Sequence, residues 1–316
     1  MLKFGNSYLK FGNDFIHDVK ETLLPNTVRL KYKEGVIPTF SKGEAKQESV
    51  SPNVWRLTYN DNNWNNLLYQ HYDLTDVLEG NTSNVSSMAS MCQWCTSLTS
   101  VNLFDTSNSR DTSWMFSECS SLNSVPHFNT HLVTNMNGMF HQTQNLLSVP
   151  EFDCSNVTST TSMFYNCKRL SDVSLSNTTK LKNMSDMFIF SNVKNVNLIT
   201  SAVTNMWDLF YQDMAISYMP NFDTRNVSSM SNMFFECKNL KRIDLIDTSN
   251  VKNISFAFYG CNKVSAGALA LYQQASTQAN PPDSYYGTFK GCGVSSQTGS
   301  AELAQIPTSW GGTKTE

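Results

Sequence analysis

The chain has 316 residues, 40% apolar and 12% aromatic, with a formal net charge of −3 and only 16% charged residues. That length suits two average domains or one long repeat array, and the apolar content supports a substantial core, which excludes wholesale disorder. Neither a basic patch nor a long acidic block is present, which argues against nucleic-acid binding by phosphate neutralisation.

The N-terminus, MLKFGNSYLKFGNDFIHDVK, lacks the apolar h-region and small-residue cleavage site of a signal peptide. No apolar run approaches the roughly 18 residues that span a bilayer. The expectation is a chain that is not inserted in a membrane. It either stays in the cytoplasm or leaves by a non-secretory route such as lysis. Residues 2–8 and 9–15 are a seven-residue duplication, LKFGNSY and LKFGNDF, with Gly-Asn pairs between apolar runs, which is hairpin chemistry. Residues 1–25 read as a docking tail or hairpin, the alternative being a frayed terminus. TVRLKYKEGVIPTF and NVWRLTYN then alternate like strands, so 26–62 reads as a small β element packed on the first unit of a repeat array.

From residue 57 the chain repeats with a period of 24. Eight consecutive clear units fill 81–264, typified by DTRNVSSMSNMFFECKNLKRIDLI at 223–246. The unit at 177–198 has 22 residues and the one at 199–222 is divergent. Residues 57–80 are a degenerate first unit, so the repeat array runs 57–264. Beyond an insert, FKGC at 289–292 echoes FYGC at 258–261, and 265–316 reads as a helical C-terminal cap. Atypical ends are what a stacked array needs, because its terminal units would otherwise expose core.

Within a unit, apolar residues at positions 8, 11, 12 and 15 follow the i, i+3, i+4, i+7 pattern of a short helix. Ser or Thr at position 6 stands where its N-cap would be. Positions 18 to 23 read L-x-x-V-x-L and suit a short strand. The predicted fold class is therefore an α/β solenoid, a leucine-rich-repeat-like array of 24-residue units, each a short helix plus a short strand, with a small N-terminal β element and degenerate capping units. Pro126, Pro150 and Pro220 at position 22 weaken the strand, since proline lacks the donor a central ladder needs. Whether position 23 or 24 faces inward is open at this point.

The unit D-T-S-N-V-x-x-M-x-x-M-F-x-x-C-x-x-L resembles the repeat of BspA-like leucine-rich-repeat surface proteins, over 81–264. The resemblance implies a tandem solenoid with no catalytic residues and no fixed ligand. The ends, LKFGNSYLKFGN and GALALYQQAST with AELAQIPTSWGG, resemble phage-encoded relatives. Together these imply a non-enzymatic phage virion protein, a head or tail fibre or decoration. It would dock on other virion proteins through its N-terminal segment and present the array to host surface polysaccharide or protein, with homo-oligomerisation open. The alternative is a bacterial cell-surface adhesin of the same repeat family. The expected locations are accordingly the virion or the bacterial surface.

Candidate chemistry has a bland explanation at each place. Cys95, Cys119, Cys167, Cys237 and Cys261 all occupy position 15, in separate units. Cys92 stands at position 12, where every other clear unit has Phe, so Cys92-x-x-Cys95 is the repeat's own F-x-x-C with one letter changed. No second C-x-x-C exists to complete a zinc site. The methionines at positions 8 and 11 read as core filling. His127, His131 and His141, with Glu118 and Glu151, could meet across two units, but scattered surface residues explain them as well. No cofactor is called for. What remains is the outward face at position 22 or its equivalent, where the residue changes from unit to unit: Asn102, Pro126, Pro150, Ser174, Asn197, Pro220 and Asp244. That face is the expected ligand surface. If the first clear unit has room for the ring, Cys92→Phe is expected to leave the melting temperature unchanged or raised. Metal analysis of the variant is expected to show no loss of bound metal.

Overall fold

The computed structural model describes residues 2–4, 7–9, 23–48, 51, 53–102 and 104–315. A β-hairpin, β1 (Leu2–Phe4) with β2 (Ser7–Leu9), pairs Leu2 opposite Leu9; the rest of the first 22 residues lies outside the described ones. The next strands, β3 (Thr27–Tyr32), β4 (Glu44–Gln47) and β5 (Val54–Thr58), join β6 (Leu74–Asn81) and β7 (Ser100–Val101) in one sheet of order β4-β5-β3-β6-β7. β3 pairs antiparallel with β5 and β6, whereas β6 and β7 are parallel. The small β element thus covers the open side of the first repeat strand and buries Val28, Leu30 and Leu57 against the core.

Ten successive coils stack in parallel register, beginning at residues 57, 81, 105, 129, 153, 177, 199, 223, 247 and 278. Single parallel bridges at position 7 run from Asn63 through Ser87, Asp111 and each later coil to Asn253 and Ser284. The last coil includes Phe289 and Cys292, so the segment expected to be a helical cap contains one more coil. Helix α1 (Ala268–Thr277) is the insert before that coil, and α2 (Gln297–Leu303) comes after it.

The expected short helix is absent from every coil, and this corrects the helix-plus-strand unit. Positions 8–15 form consecutive β-turns. In coil 2 the N–H groups of Met91, Gln93 and Cys95 each donate three residues back, to Met88, Ser90 and Cys92. The intervening N–H groups of Met88, Ser90, Cys92 and Trp94 donate to Asp111, Ser113, Met115 and Ser117 of the next coil. A helix would turn all these donors inward along its own axis. The turn chain instead sends every second donor to the neighbour. This geometry requires left-handed residues at positions 10 and 14. All twenty have positive φ, sixteen of them non-glycine residues such as Trp114, Glu118, Asp208 and Phe190, the others Gly138, Gly260, Gly287 and Gly291. A non-glycine residue in this region costs about 1 kcal/mol or more, so the inter-coil bonds must offset it.

The apolar spacing of 8, 11, 12 and 15 fits this chain because turns of three and four residues bring the same positions inward. Phe116, Phe140, Phe164, Phe188, Phe210, Phe234, Phe258 and Phe289 at position 12 form one stacked column. Its ring centroids are 5.2–5.9 Å apart. Trp310 closes the column: its carbonyl accepts from Phe289 N–H at 2.9 Å and its ring stacks on Phe289 and Tyr285.

Position 6 also differs from expectation. The hydroxyls of Ser86, Thr134, Thr158, Thr204 and Ser228 donate to the position-6 carbonyl of the preceding coil rather than capping a helix. The short-range capping role falls to position 7, where Asp111, Asn135, Asn183, Asn205 and Asn253 accept the N–H two residues on. Beyond β7 the strand ladder is fragmentary. Among the described residues, β8 (Phe152–Asp153), β9 (Asp172–Ser176) and β10 (Asn195–Asn197) pair in parallel, and a single parallel bridge joins Arg242 to Ala266. None contains the prolines, as their missing donor requires. The inward position depends on the coil. Leu175 at 23 is buried in β9, whereas Phe128 and Phe152 at 24 are buried in coils carrying proline at 22.

Position 15 is a rung between coils. The thiols of Cys95, Cys119, Cys167, Cys237 and Cys261 donate at 2.9–3.1 Å to the position-12 carbonyl of the preceding coil, as do Thr143 and Ser191. Asp213 is the exception. Coil 6 lacks one residue between positions 16 and 18, so Val193 N–H does not make the bond that Leu98, Leu122 and Leu240 make to their own position-15 carbonyls. Asp213 of coil 7 accepts it at 2.9 Å and also accepts from Ala215 and Ile216. Its side chain is wholly buried, and burial pushes its carboxyl up to about 7.

Because that value is raised above the unfolded one, the associated stability is fully present below about pH 4 and is lost as pH rises through 7. Urea midpoints are expected to fall between pH 5 and pH 8, and Asp213→Asn to flatten the fall. Asp213→Ala orphans the buried Val193 and Ile216 donors, at about 1–3 kcal/mol each, and is expected to cost more than Cys237→Ala in the same assay.

Candidate functional site

Two faces of the stack carry exposed side chains. On the strand face, Asn102 and Asn197 are exposed, and Pro126, Pro150, Ser174, Pro220 and Asp244 are half-buried. Several are engaged within the protein. Asn102 donates to the Leu78 carbonyl at 2.6 Å, and Asn197 donates to Ser174 Oγ at 3.3 Å. Asp244 pairs with Arg242 at 2.8 Å. An open groove of about 520 Å³ lies on this face at Lys194, Val196, Tyr218, Met219 and Pro220.

The turn face was not singled out by sequence reasoning. Position 13 lies there and is aromatic in most coils, a column that the repeat alignment already contains: Tyr69, His141, Tyr165, Tyr211, Phe235 and Tyr259. His141 stacks on Tyr165 at 4.6 Å with planes 19° apart, and Tyr211 on Phe235 at 4.6 Å and Phe235 on Tyr259 at 4.7 Å with nearly parallel planes. Face-to-face stacking hides the ring faces and turns their edges outward. Between the rings run carboxylates and amides. Gln142 donates to Glu118 at 2.6 Å and Gln212 to Glu236 at 3.0 Å. Burial pushes the Asp208 carboxyl up to about 6, with the Asp186 charge adding to it. Burial between Trp114 and Tyr165 pushes His141 down to about 4, so this imidazole is neutral at pH 7.

The histidines do not come together as a site. His131 Nδ1 is at 2.7 Å from Asn129 Oδ1, His127 is exposed, and His141 is held in its aromatic stack. Among the described residues no group of three or more His, Cys, Asp or Glu could hold a metal ion. All eight cysteines are buried free thiols. Burial pushes Cys95, Cys119, Cys167, Cys237, Cys261 and Cys292 well above the ordinary thiol value, the opposite of what a thiolate ligand or nucleophile needs. The Cys92–Cys95 pair obeys the repeat: Cys92 heads the phenylalanine column and Cys95 is a rung to Leu68.

Stacked coils with closed backbone hydrogen bonding and two side-chain faces define a tandem-repeat protein. Residues 53–146, 87–200 and 191–280 each match the family described as "Mycoplasma protein of unknown function, DUF285", and together these matches span most of the chain. The chain belongs to that family. No curated protein matches it. A solved structure described as a leucine rich cell surface protein from Faecalibacterium prausnitzii A2-165 is 14% identical, with a TM-score of 0.23, over 77% of this chain and 90% of that one.

Turn-face packing is specific between neighbouring coils. The Trp114 ring lies over Gly138, where an added Cβ would stand 2.4 Å from the indole, at a φ of +60°. Gly138→Ala is expected to destabilise by about 1–3 kcal/mol through this overlap and the backbone strain. Thermal melts should show part of that loss recovered in the double variant with Trp114→Ala.

Proposed function

We propose that the chain is a non-enzymatic recognition scaffold of the bacterial cell surface, a solenoid whose faces hold a surface polysaccharide or protein. The observation that carries this reading is the division of labour within the unit. Positions 2, 8, 11, 12 and 15 repeat and are buried or bonded between coils, while positions 14, 16 and 22 change from coil to coil and lie toward solvent. A scaffold that fixes its backbone with repeated residues leaves the remainder for a ligand.

The surface location is supported by the likeness of the unit to BspA-like surface repeats. The name of the Faecalibacterium prausnitzii structure assigns that protein to the cell surface, but a TM-score of 0.23 lends no weight here. The phage-virion reading rests only on the likeness of the two chain ends, and we prefer the cell surface to it. Attachment through the N-terminal segment, residues 1–25, and self-association of copies belong to the same proposal. Among the described residues no helix is long and apolar enough to cross a membrane.

Protease shaving of intact cells followed by peptide mass spectrometry is expected to release peptides of this chain. Their recovery in gradient-purified phage particles, and not from cells, would overturn the surface location in favour of the virion. New reducing ends after incubation with surface polysaccharide would overturn the non-enzymatic reading.

A further inference from the structure

The repeat breaks at one place, and exposed apolar side chains concentrate there. Five of the fourteen exposed large apolar residues among the described ones, Phe190, Ile199, Trp207, Met214 and Tyr218, belong to the shortened coil 6 and the divergent coil 7. With position 17 missing from coil 6, the turn face has an open depression of about 400 Å³, within the range of small-molecule sites. Its lining is a grid of two rows across coils 5, 6 and 7: Asn166, Phe190 and Gln212 at position 14, and Lys168, Asn192 and Met214 at position 16.

Phe190 differs from the stacked rings of position 13. It stands at 88° to Tyr165 and 89° to Tyr211, with both centroids at 5.8 Å, and is 38% exposed. A ring set across the stack has no neighbour stacked on it to hide its face. An exposed aromatic face is electron-rich and attracts C–H groups. Around it stand hydrogen-bonding groups held in place. The Asn192 amide donates to the Lys168 carbonyl at 2.7 Å, which leaves its Oδ1 to accept. Gln212 is tied through its Nε2 to Glu236 and likewise keeps Oε1. Asn166 adds an amide and Lys168 an exposed ammonium, and no carboxylate lines the depression.

From these features we propose that the depression is a saccharide subsite, taking an oligosaccharide that is neutral or carries a single carboxylate. One sugar ring lies on Phe190, and its hydroxyls meet the amides of Asn166, Asn192 and Gln212. An extended peptide is a poor fit. The N–H groups of Asn166, Phe190 and Gln212 already donate to Ile189, Tyr211 and Phe235, so no backbone edge remains for strand addition. Coils are about 4.8 Å apart, the spacing of paired strands, so the three coils together span roughly two sugar rings. This inference deepens the recognition reading above and rests on it for the class of function, but not for the location.

The test is calorimetric titration of the full chain with hexasaccharides of glucose, mannose, galactose, N-acetylglucosamine and xylose. At least one is expected to bind. Phe190→Ala is expected to weaken it about tenfold, the scale of one lost aromatic contact, while Phe190→Tyr retains binding. Tyr286→Ala, at an exposed ring of coil 10, is expected to leave affinity unchanged, and matching urea midpoints ensure that the variants are folded. Binding of none of the five, or equal binding by folded Phe190→Ala, would overturn the subsite. Shaving reads location independently: a binding chain not released from cells sinks only the surface reading, and a surface chain that binds none of the five sinks only the subsite.

Discussion

The structure depends on the alternation of backbone donors along positions 8 to 15. Each second N–H closes a turn within its coil, and each intervening one crosses to the next coil, from the first coil to the ninth. A polar backbone packed this densely is stable only when its donors are satisfied, and neither a helix nor a lone coil could satisfy them in this arrangement. The left-handed residues at positions 10 and 14 result from the same constraint, as does the need for a covering element at each end. The β3–β6 pairing supplies one end and Trp310 the other.

Side chains then extend the alternation. Position 2 threonines donate to the position-1 carbonyl of the next coil, among them Thr106, Thr130, Thr200 and Thr224 at 2.8–3.0 Å. Position 15 thiols and hydroxyls donate to position 12 of the coil before. The residues at these positions look small and interchangeable, yet each is a donor between coils. Asp213 departs from that rule where the chain loses a residue, and there an acceptor replaces a donor because a buried N–H has been set free. A deletion in one coil is thus compensated by a substitution in the next, 20 residues away.

The same pair of coils is where surface chemistry becomes distinctive. On the turn face His141 with Tyr165, and Tyr211 with Phe235 and Tyr259, stack on one another and turn their edges outward. At coil 6 the shorter chain opens a depression and turns Phe190 across the stack. The strand face is concave at the same two coils, beside Tyr218 and Pro220. Depressions thus lie on both faces at these two coils.

Much of this was legible in the sequence. The period, the register, the shortened coil and the buried positions come from apolar spacing alone, because every coil must present the same side chains to the same core. The thiol at Cys95 could likewise be assigned to the repeat rather than to a metal. Sequence could not separate a helix from a chain of turns, since positions 8, 11, 12 and 15 point inward in both. The difference lies in which carbonyl each N–H finds, and half of those carbonyls belong to another coil. Whether position 23 or 24 turns inward varies from coil to coil, with Leu175 buried at 23 and Phe104, Phe128 and Phe152 buried at 24. The orientation of Phe190 depended on its neighbours at Tyr165 and Tyr211, 25 and 21 residues away. Residue identity and spacing determined what is buried; contacts between coils decided the backbone that buries it and the faces it leaves exposed.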